Sequence, residues 1–194
     1  MEITDTEHIV ALCGSQRDES HTRKALFRAL DAVERTGATT DLVDVTEMDL
    51  PLFDPDSPDA GEAAGLRRRV RDADGVLLGT PMYHGSYASP LKTALDYCRF
   101  DEFEETTVGL LVVAGGGFPT PALEHLRSVA RALDAWVLPH QVAIPEAHSA
   151  FEDGQLTDES LIDRVETLGT EIVEYAGVGS YPETTTARAV PTAD

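Results

Sequence analysis

The chain has 194 residues, of which 42% are apolar, enough for one domain with a sizeable core and too many for wholesale disorder. Thirty-five acidic residues against fifteen basic ones give a formal net charge of -20, a field that repels nucleic acid and anionic membrane alike. No apolar run approaches bilayer length, the acidic start Met1–Glu7 lacks a signal core, and Cys13 and Cys98 make neither a disulfide framework nor a cluster-ligand set. A cytoplasmic location follows as an expectation. Lys24 and Lys92 are the two lysines, and the remaining basic residues are arginine. An ordinary acidic protein fits these numbers, but they favour a halophilic chain whose acidic coat stays hydrated while concentrated salt screens its self-repulsion.

Short apolar runs alternate with longer amphipathic ones. His8 to Cys13 predicts a buried strand ending at Gly14. From Ser20 to Thr36, Leu26, Ala29, Leu30 and Val33 recur at helical spacing, and Gly37 stops the helix. Thr39 to Val45 predicts a second strand. The Pro- and Asp-rich stretch from Asp49 to Gly61 reads as a surface loop, and Glu62 to Ala73 as a short helix with a basic face. Gly75 to Thr80, apolar on both faces, predicts a central parallel strand. Ser89-Pro90 predicts a capped helix to about Tyr97, since serine is a good N-cap and proline suits the first turn. Thr107 to Val113 is a fourth strand, and Thr120-Pro121 repeats the cap device ahead of Leu123, Leu126, Val129, Ala130 and Leu133. Trp136 to Ile144 is a fifth strand. Thr157 or Asp158 caps a last helix that buries Leu161, Ile162, Val165, Leu168, Ile172 and Val173.

Strands alternating with helices in this way predict an α/β fold, a single doubly wound five-stranded parallel sheet in the flavodoxin-like order 2-1-3-4-5. Residues 1-176 form that domain, and 177-194, poor in large apolar residues, is expected to be a disordered tail. The ligand crevice of such a sheet lies beyond the carboxyl ends of the strands, where the first and third strands part company.

Three loops at those ends carry unusual residues. The first, Gly14 to Thr22, offers hydroxyls at Ser15, Ser20 and Thr22, the guanidinium of Arg17 and the N–H groups of a helix N-terminus, which together suit a phosphate dianion. It matches neither a Walker loop nor a dinucleotide fingerprint. The second runs from Thr80 to Lys92, and its proline, glycine and aromatic residues suit the edge of a flat heterocycle. The third, Ala114 to Thr120, contains three consecutive glycines that permit close backbone approach. Each of the three also fits an ordinary strand-to-helix turn. The six histidines show no metal-ligand spacing, and no GxSxG elbow is present. Cys13 reads as the end of a buried strand, or as a nucleophile. Lys92 and Asp96, one helical turn apart, either pair with each other or tie two subunits together.

Gly14-Ser15-x-Arg17-x-x-Ser20-x-Thr22, then Thr80-Pro81-x-Tyr83-x-x-Ser86-x-x-x-Pro90-Leu91-Lys92-x-x-x-Asp96, then the glycine-rich loop followed by Leu126-Arg127, resemble the NADPH-dependent FMN reductase family of flavodoxin-like quinone and azo-dye reductases. The stretch Asp44 to Phe53 is similar to the family's segment after its second strand. The resemblance spans about Ile9 to Val173. It implies FMN and NAD(P)H, with Ser15, Arg17, Ser20 and Thr22 on the phosphate. Pro81, Met82, Tyr83, His84, Gly85 and Ser86 would line the isoalloxazine, and Gly115, Gly116 and Gly117 its other edge. Ala114, where the family often has a hydroxyl residue, and His84 depart from the pattern.

The activity implied is an FMN-dependent NAD(P)H oxidoreductase. Hydride passes from NAD(P)H to flavin N5, and electrons then go to a small-molecule acceptor: a quinone, an azo compound, a free flavin or a metal ion. No classical catalytic side chain is required, and His84 is either a proton donor or a plain loop residue. A homodimer or homotetramer is implied as well. The competing reading is a flavodoxin-type electron carrier without enzymatic activity.

Overall fold

The computed structural model describes residues 6–176. The expected tail at 177-194 lies outside the described residues. Five parallel strands run β2 (Thr39–Asp44), β1 (His8–Cys13), β3 (Gly75–Tyr83), β5 (Thr107–Val113) and β6 (Trp136–Ile144) across the sheet. This is the expected order. A two-residue strand, β4 (Ser86–Tyr87), pairs antiparallel with the end of β3.

The period-two alternation of a strand sorts the apolar residues between two cores. Val10 and Leu12 of β1 face α2 (Ala63–Arg71), α3 (Ser89–Tyr97) and α5 (Thr120–Ala132), together with Leu66, Leu91, Leu95 and Leu126. Ile9, Ala11 and Cys13 face α1 (His21–Arg35) and α7 (Glu159–Ala176), together with Leu26, Val33, Leu168 and Ile172. Full burial of each such leucine or isoleucine contributes about 1.5–3 kcal/mol. The chain therefore leaves β1 toward one face and β3 toward the other. Their loops diverge, and a crevice opens between them at the carboxyl edge.

Several boundaries differ from expectation. β3 runs three residues past Thr80 to Tyr83, then turns through His84 and Gly85, whose φ angles of 51° and 81° are both positive. Two positive φ values in a two-residue connection suit the twist of a tight hairpin, so the expected loop is a β-hairpin. Ser89 is not the cap of α3. The cap is Ala88, whose N–H donates to the Thr80 hydroxyl at 2.9 Å. Thr120 is likewise inside α5, capped by Pro119 without a side-chain bond. Asp158 does cap α7, accepting the Leu161 N–H at 3.1 Å. The sequence reading contained neither α4 (Phe100–Phe103), nor α6 (Ala147–Ala150), nor the hairpin of β7 (Phe151–Glu152) and β8 (Gln155–Leu156).

Candidate active site

The first loop is framed by residues that do not touch its ligand space. Asp44, the last residue of β2, is buried and accepts Nε of Arg23 at 2.7 Å, while its other oxygen takes the Thr46 N–H and hydroxyl at 3.1 and 2.8 Å. A second guanidinium nitrogen of Arg23 completes the ion pair, and the third group donates to the Asp18 carbonyl at 2.9 Å. Arg23 thus fastens the loop after β1 to the end of β2. Sequence reading missed it, because an arginine on an amphipathic helix looks like part of a solvated face.

Ser20 is the N-cap of α1: its hydroxyl accepts the Arg23 N–H at 3.0 Å. That oxygen is engaged in holding the helix, and Ser20 is not among the residues lining the cleft. Ser15 and Thr22 differ. Each is 2% exposed, each lines the cleft, and neither hydroxyl bonds to a described residue. Both therefore point their polar atoms into the cleft. Arg17 lines the same wall, exposed, with no ion pair to any described residue.

The cleft is completed by Pro81, Met82 and Tyr83 from the end of β3, and by Val113, Ala114 and Gly115 from the end of β5. Glu19, His21, Ala147 and His148, which the sequence reading did not single out, also line it. The wall thus gathers Ser15, Arg17, Thr22, Pro81, Met82, Tyr83 and Gly115 from the expected set. It does not include Ser20, His84, Gly85, Ser86, Gly116 or Gly117. His84 and Gly85 form the turn of the hairpin. Ser86 bonds instead to Nδ1 of His125 on α5, with Oγ at 3.0 Å. Gly116 gives its carbonyl to the Glu146 N–H at 3.1 Å, and Ala114 gives its own to Ala147 at 2.9 Å. Those two bonds draw α6, and with it His148, onto the cleft.

Cys13 is fully buried beneath this site, and burial pushes its thiol pKa up. A buried neutral thiol is a core residue and not a nucleophile. Lys92 and Asp96 pair with each other along α3. Arg127 donates to the Leu138 carbonyl at 3.0 Å and to Gln141 Oε1 at 2.7 Å, which fixes β6.

The sequence profile of the NADPH-dependent FMN reductase family matches residues 8–149, from the first strand into α6. The chain belongs to that family. An FMN-dependent NADPH-azoreductase of Staphylococcus aureus is 33% identical over 180 residues, covering 88% of this chain and 95% of that protein. Two solved structures share the fold. One is a flavoenzyme NAD(P)H:(acceptor) oxidoreductase from Paracoccus denitrificans (TM-score 0.73, 21% identity, 88% of this chain and 97% of that one). The other is an apo NADH:FMN oxidoreductase (TM-score 0.68, 23% identity, 93% and 94%).

This FMN reductase is accordingly an NAD(P)H-dependent oxidoreductase with FMN as its cofactor, and a small molecule is its electron acceptor. The donor chemistry of the cleft fits that group. The hydroxyls of Ser15 and Thr22 on the cleft wall, the Arg17 guanidinium, unpaired among the described residues, and the N-terminus of a fifteen-residue helix suit a phosphate. Pro81, Met82 and Tyr83, adjoining them, offer the apolar and ring surface that a flat heterocycle needs. Among the described residues, no helix is long and apolar enough to cross a membrane.

Proposed function

We propose that Ser15, Arg17 and Thr22 hold the FMN phosphate, and that Pro81, Met82, Tyr83 and Gly115 line the isoalloxazine. The observation that carries this is the pair of hydroxyls, Ser15 and Thr22, that line the cleft beside Arg17 at the start of α1 without a bond to any described residue. FMN supplies the hydride-accepting and electron-donating chemistry when bound. The protein binds the anion, orients the ring against the ends of β3 and β5, and leaves one side of it open. Tyr83 is 51% exposed and Phe118 is 84% exposed, so no aromatic lid among the described residues covers the cleft. That openness favours a reductase, which must admit NAD(P)H and an acceptor in turn, over a carrier that shields its flavin.

The acceptor class proposed is a planar azo compound or quinone, in keeping with the azoreductase relative. The test is anaerobic bleaching of the FMN-loaded protein. NADPH or NADH alone removes the yellow colour, and an azo dye or quinone restores it. Colour that persists with both nucleotides, and bleaches only with a partner reductase, establishes the carrier instead.

The enzyme is further proposed to be cytoplasmic, to assemble as a homodimer or homotetramer, and to depend on salt. Its thirty-five acidic residues lose their screening when the Debye length grows from about 3 Å at 1 M salt to about 30 Å at about 10 mM. Circular dichroism during dialysis is expected to report unfolding at low salt. Full retention of structure and turnover there is the outcome against halophily.

A further inference from the structure

The wall of the cleft at the N-terminus of α1 gathers more groups than the phosphate motif contains. Arg17 and Glu19 come from the loop after β1, His21 from the first turn of α1, and His148 from α6. The His21 ring stacks flat on Phe151 of β7, with centroids 4.2 Å apart and 3° between the planes. That stack fixes the imidazole at the edge of the cleft. Ser20 takes the N–H groups of Arg23 and Lys24 through its hydroxyl and carbonyl oxygens. The N–H groups of His21 and Thr22 remain as the orphan donors of the turn.

The charge count at this wall falls short of what a phosphate needs. Arg17 is a fixed cation. Glu19 is neutralised by Lys24, with Oε2 and Nζ 2.5 Å apart. One net positive charge therefore faces a group carrying up to about two negative charges near neutral pH. The chain as a whole, at -20, repels such a group. The remaining groups at the wall able to become cationic are the two imidazoles.

We propose that His21 and His148 are phosphate-binding residues of this enzyme, and that the FMN phosphate is held with uptake of a proton onto the imidazole pair. The clamp presupposes the FMN placement proposed above. In stoichiometric form, FMN dianion, neutral imidazole and one solvent proton become FMN dianion held by imidazolium. In the free cleft, burial keeps His21 below its ordinary pKa; Lys24, His148 and Arg17 push it the same way, and Glu19 opposes them. A dianion among these groups reverses that balance, because an opposite charge at close range favours the protonated ring.

The sign of the linkage follows. The unfolded chain binds a proton at His21 more readily than the free folded protein does. The free protein therefore loses stability as pH falls through the ordinary histidine value of 6.5. The FMN complex binds more protons than the free protein, so FMN affinity rises as pH falls from about 8.5 to about 6.5. Nearer about pH 6 the phosphate takes a proton itself and the gain ends.

Calorimetric titration of apo-protein with FMN and with riboflavin, in two non-phosphate buffers of different ionisation enthalpy, counts the protons exchanged. The variants are His21→Phe, which keeps the stack on Phe151 but cannot titrate, His148→Gln, and the two combined. Wild type is expected to take up close to one proton per FMN at about pH 7 and none with riboflavin, and to bind FMN roughly tenfold more weakly at about pH 8.5 than at about pH 6.5. The double variant is expected to take up none and to lose most of that pH dependence, with riboflavin affinity unchanged as the check on its fold. FMN binding without proton uptake in wild type, or the same uptake in the double variant, overturns the clamp and leaves the FMN placement standing. Equal uptake with riboflavin moves the proton to the ring and also overturns it. Failure of both flavins to bind overturns the FMN placement itself, and the clamp with it.

Discussion

The two ends of the cleft are built differently. At the α1 end, Ser15 and Thr22 are almost wholly buried, Ser20 caps the helix, and Arg23 braces the loop against buried Asp44 and the Asp18 carbonyl. At the other end, Tyr83 stands half in solvent and Phe118, on the glycine loop after Gly115, more so, and among the described residues the three glycines are held by a single backbone bond, from the Glu146 N–H to the Gly116 carbonyl. A site whose anion-binding end is fixed beforehand pays little ordering entropy when the phosphate arrives. A site whose ring end is loosely held can admit two different reactants one after the other. The division suits an enzyme that keeps one cofactor and exchanges its other substrates.

The largest effect expected of a single substitution lies in the brace. Arg23→Ala leaves the Asp44 carboxylate buried without its cation, and removing one partner of a buried pair costs about 3–5 kcal/mol. Arg23 is partly open to solvent at 22% of its side chain, so the lower part of that range applies. Denaturant unfolding is expected to show the loss in the flavin-free protein, with FMN affinity falling as the loop detaches from β2. Unchanged unfolding with weakened FMN would erase the distinction between brace and ligand.

A smaller and purely local effect is expected at Arg17. Its guanidinium is exposed and unpaired, so Arg17→Ala leaves unfolding within about 0.5 kcal/mol of wild type. A charge-assisted hydrogen bond contributes about 1.5–3 kcal/mol, which makes FMN about ten- to a hundredfold weaker. Riboflavin, lacking the phosphate, is the control and is expected to bind as before. Equal weakening of FMN and riboflavin would take Arg17 off the phosphate.

These contrasts also mark what the chain made legible. The five parallel strands were readable because each is a bounded apolar run, and their order followed because right-handed crossovers leave few alternatives. The loops that meet at the cleft were readable from their place at the strand ends. Residues acting at a distance were not. Arg23 reaches Asp44 across two elements, and His148 arrives through carbonyls of the third loop, neither of which has a local signature. Hydroxyl roles were also ambiguous. Ser20 before a helix suits both a cap and a phosphate, and geometry assigned it to the cap. At Ser89 the opposite happened, since the Thr80 hydroxyl reaches the Ala88 N–H first. The two small hairpins turn on His84-Gly85 and Asp153-Gly154, all with positive φ. Asp-Gly is a strong hairpin signal that passed unread, whereas His-Gly is a weak one.

The smallest effect is expected at the open end. Phe118 is 84% exposed on the glycine loop and has little packing to lose, so Phe118→Ala leaves unfolding within about 0.5 kcal/mol of wild type. It does not line the cleft that holds the hydroxyls and the guanidinium, so FMN affinity is expected to hold. What changes is the contact available to a planar acceptor beside the ring. Stacking on an exposed aromatic contributes about 0.5–1.5 kcal/mol, so KM for a bulky azo dye rises about two- to tenfold. Binding of this kind is uniform between ground and transition states, so kcat is expected to stay level. A small quinone, too short to reach Phe118, serves as the internal control and keeps its KM. If KM rises equally for both acceptors, Phe118 supports the glycine loop as a whole. If FMN also loosens, the two ends of the cleft are mechanically joined, and the division between a fixed end and an open one fails.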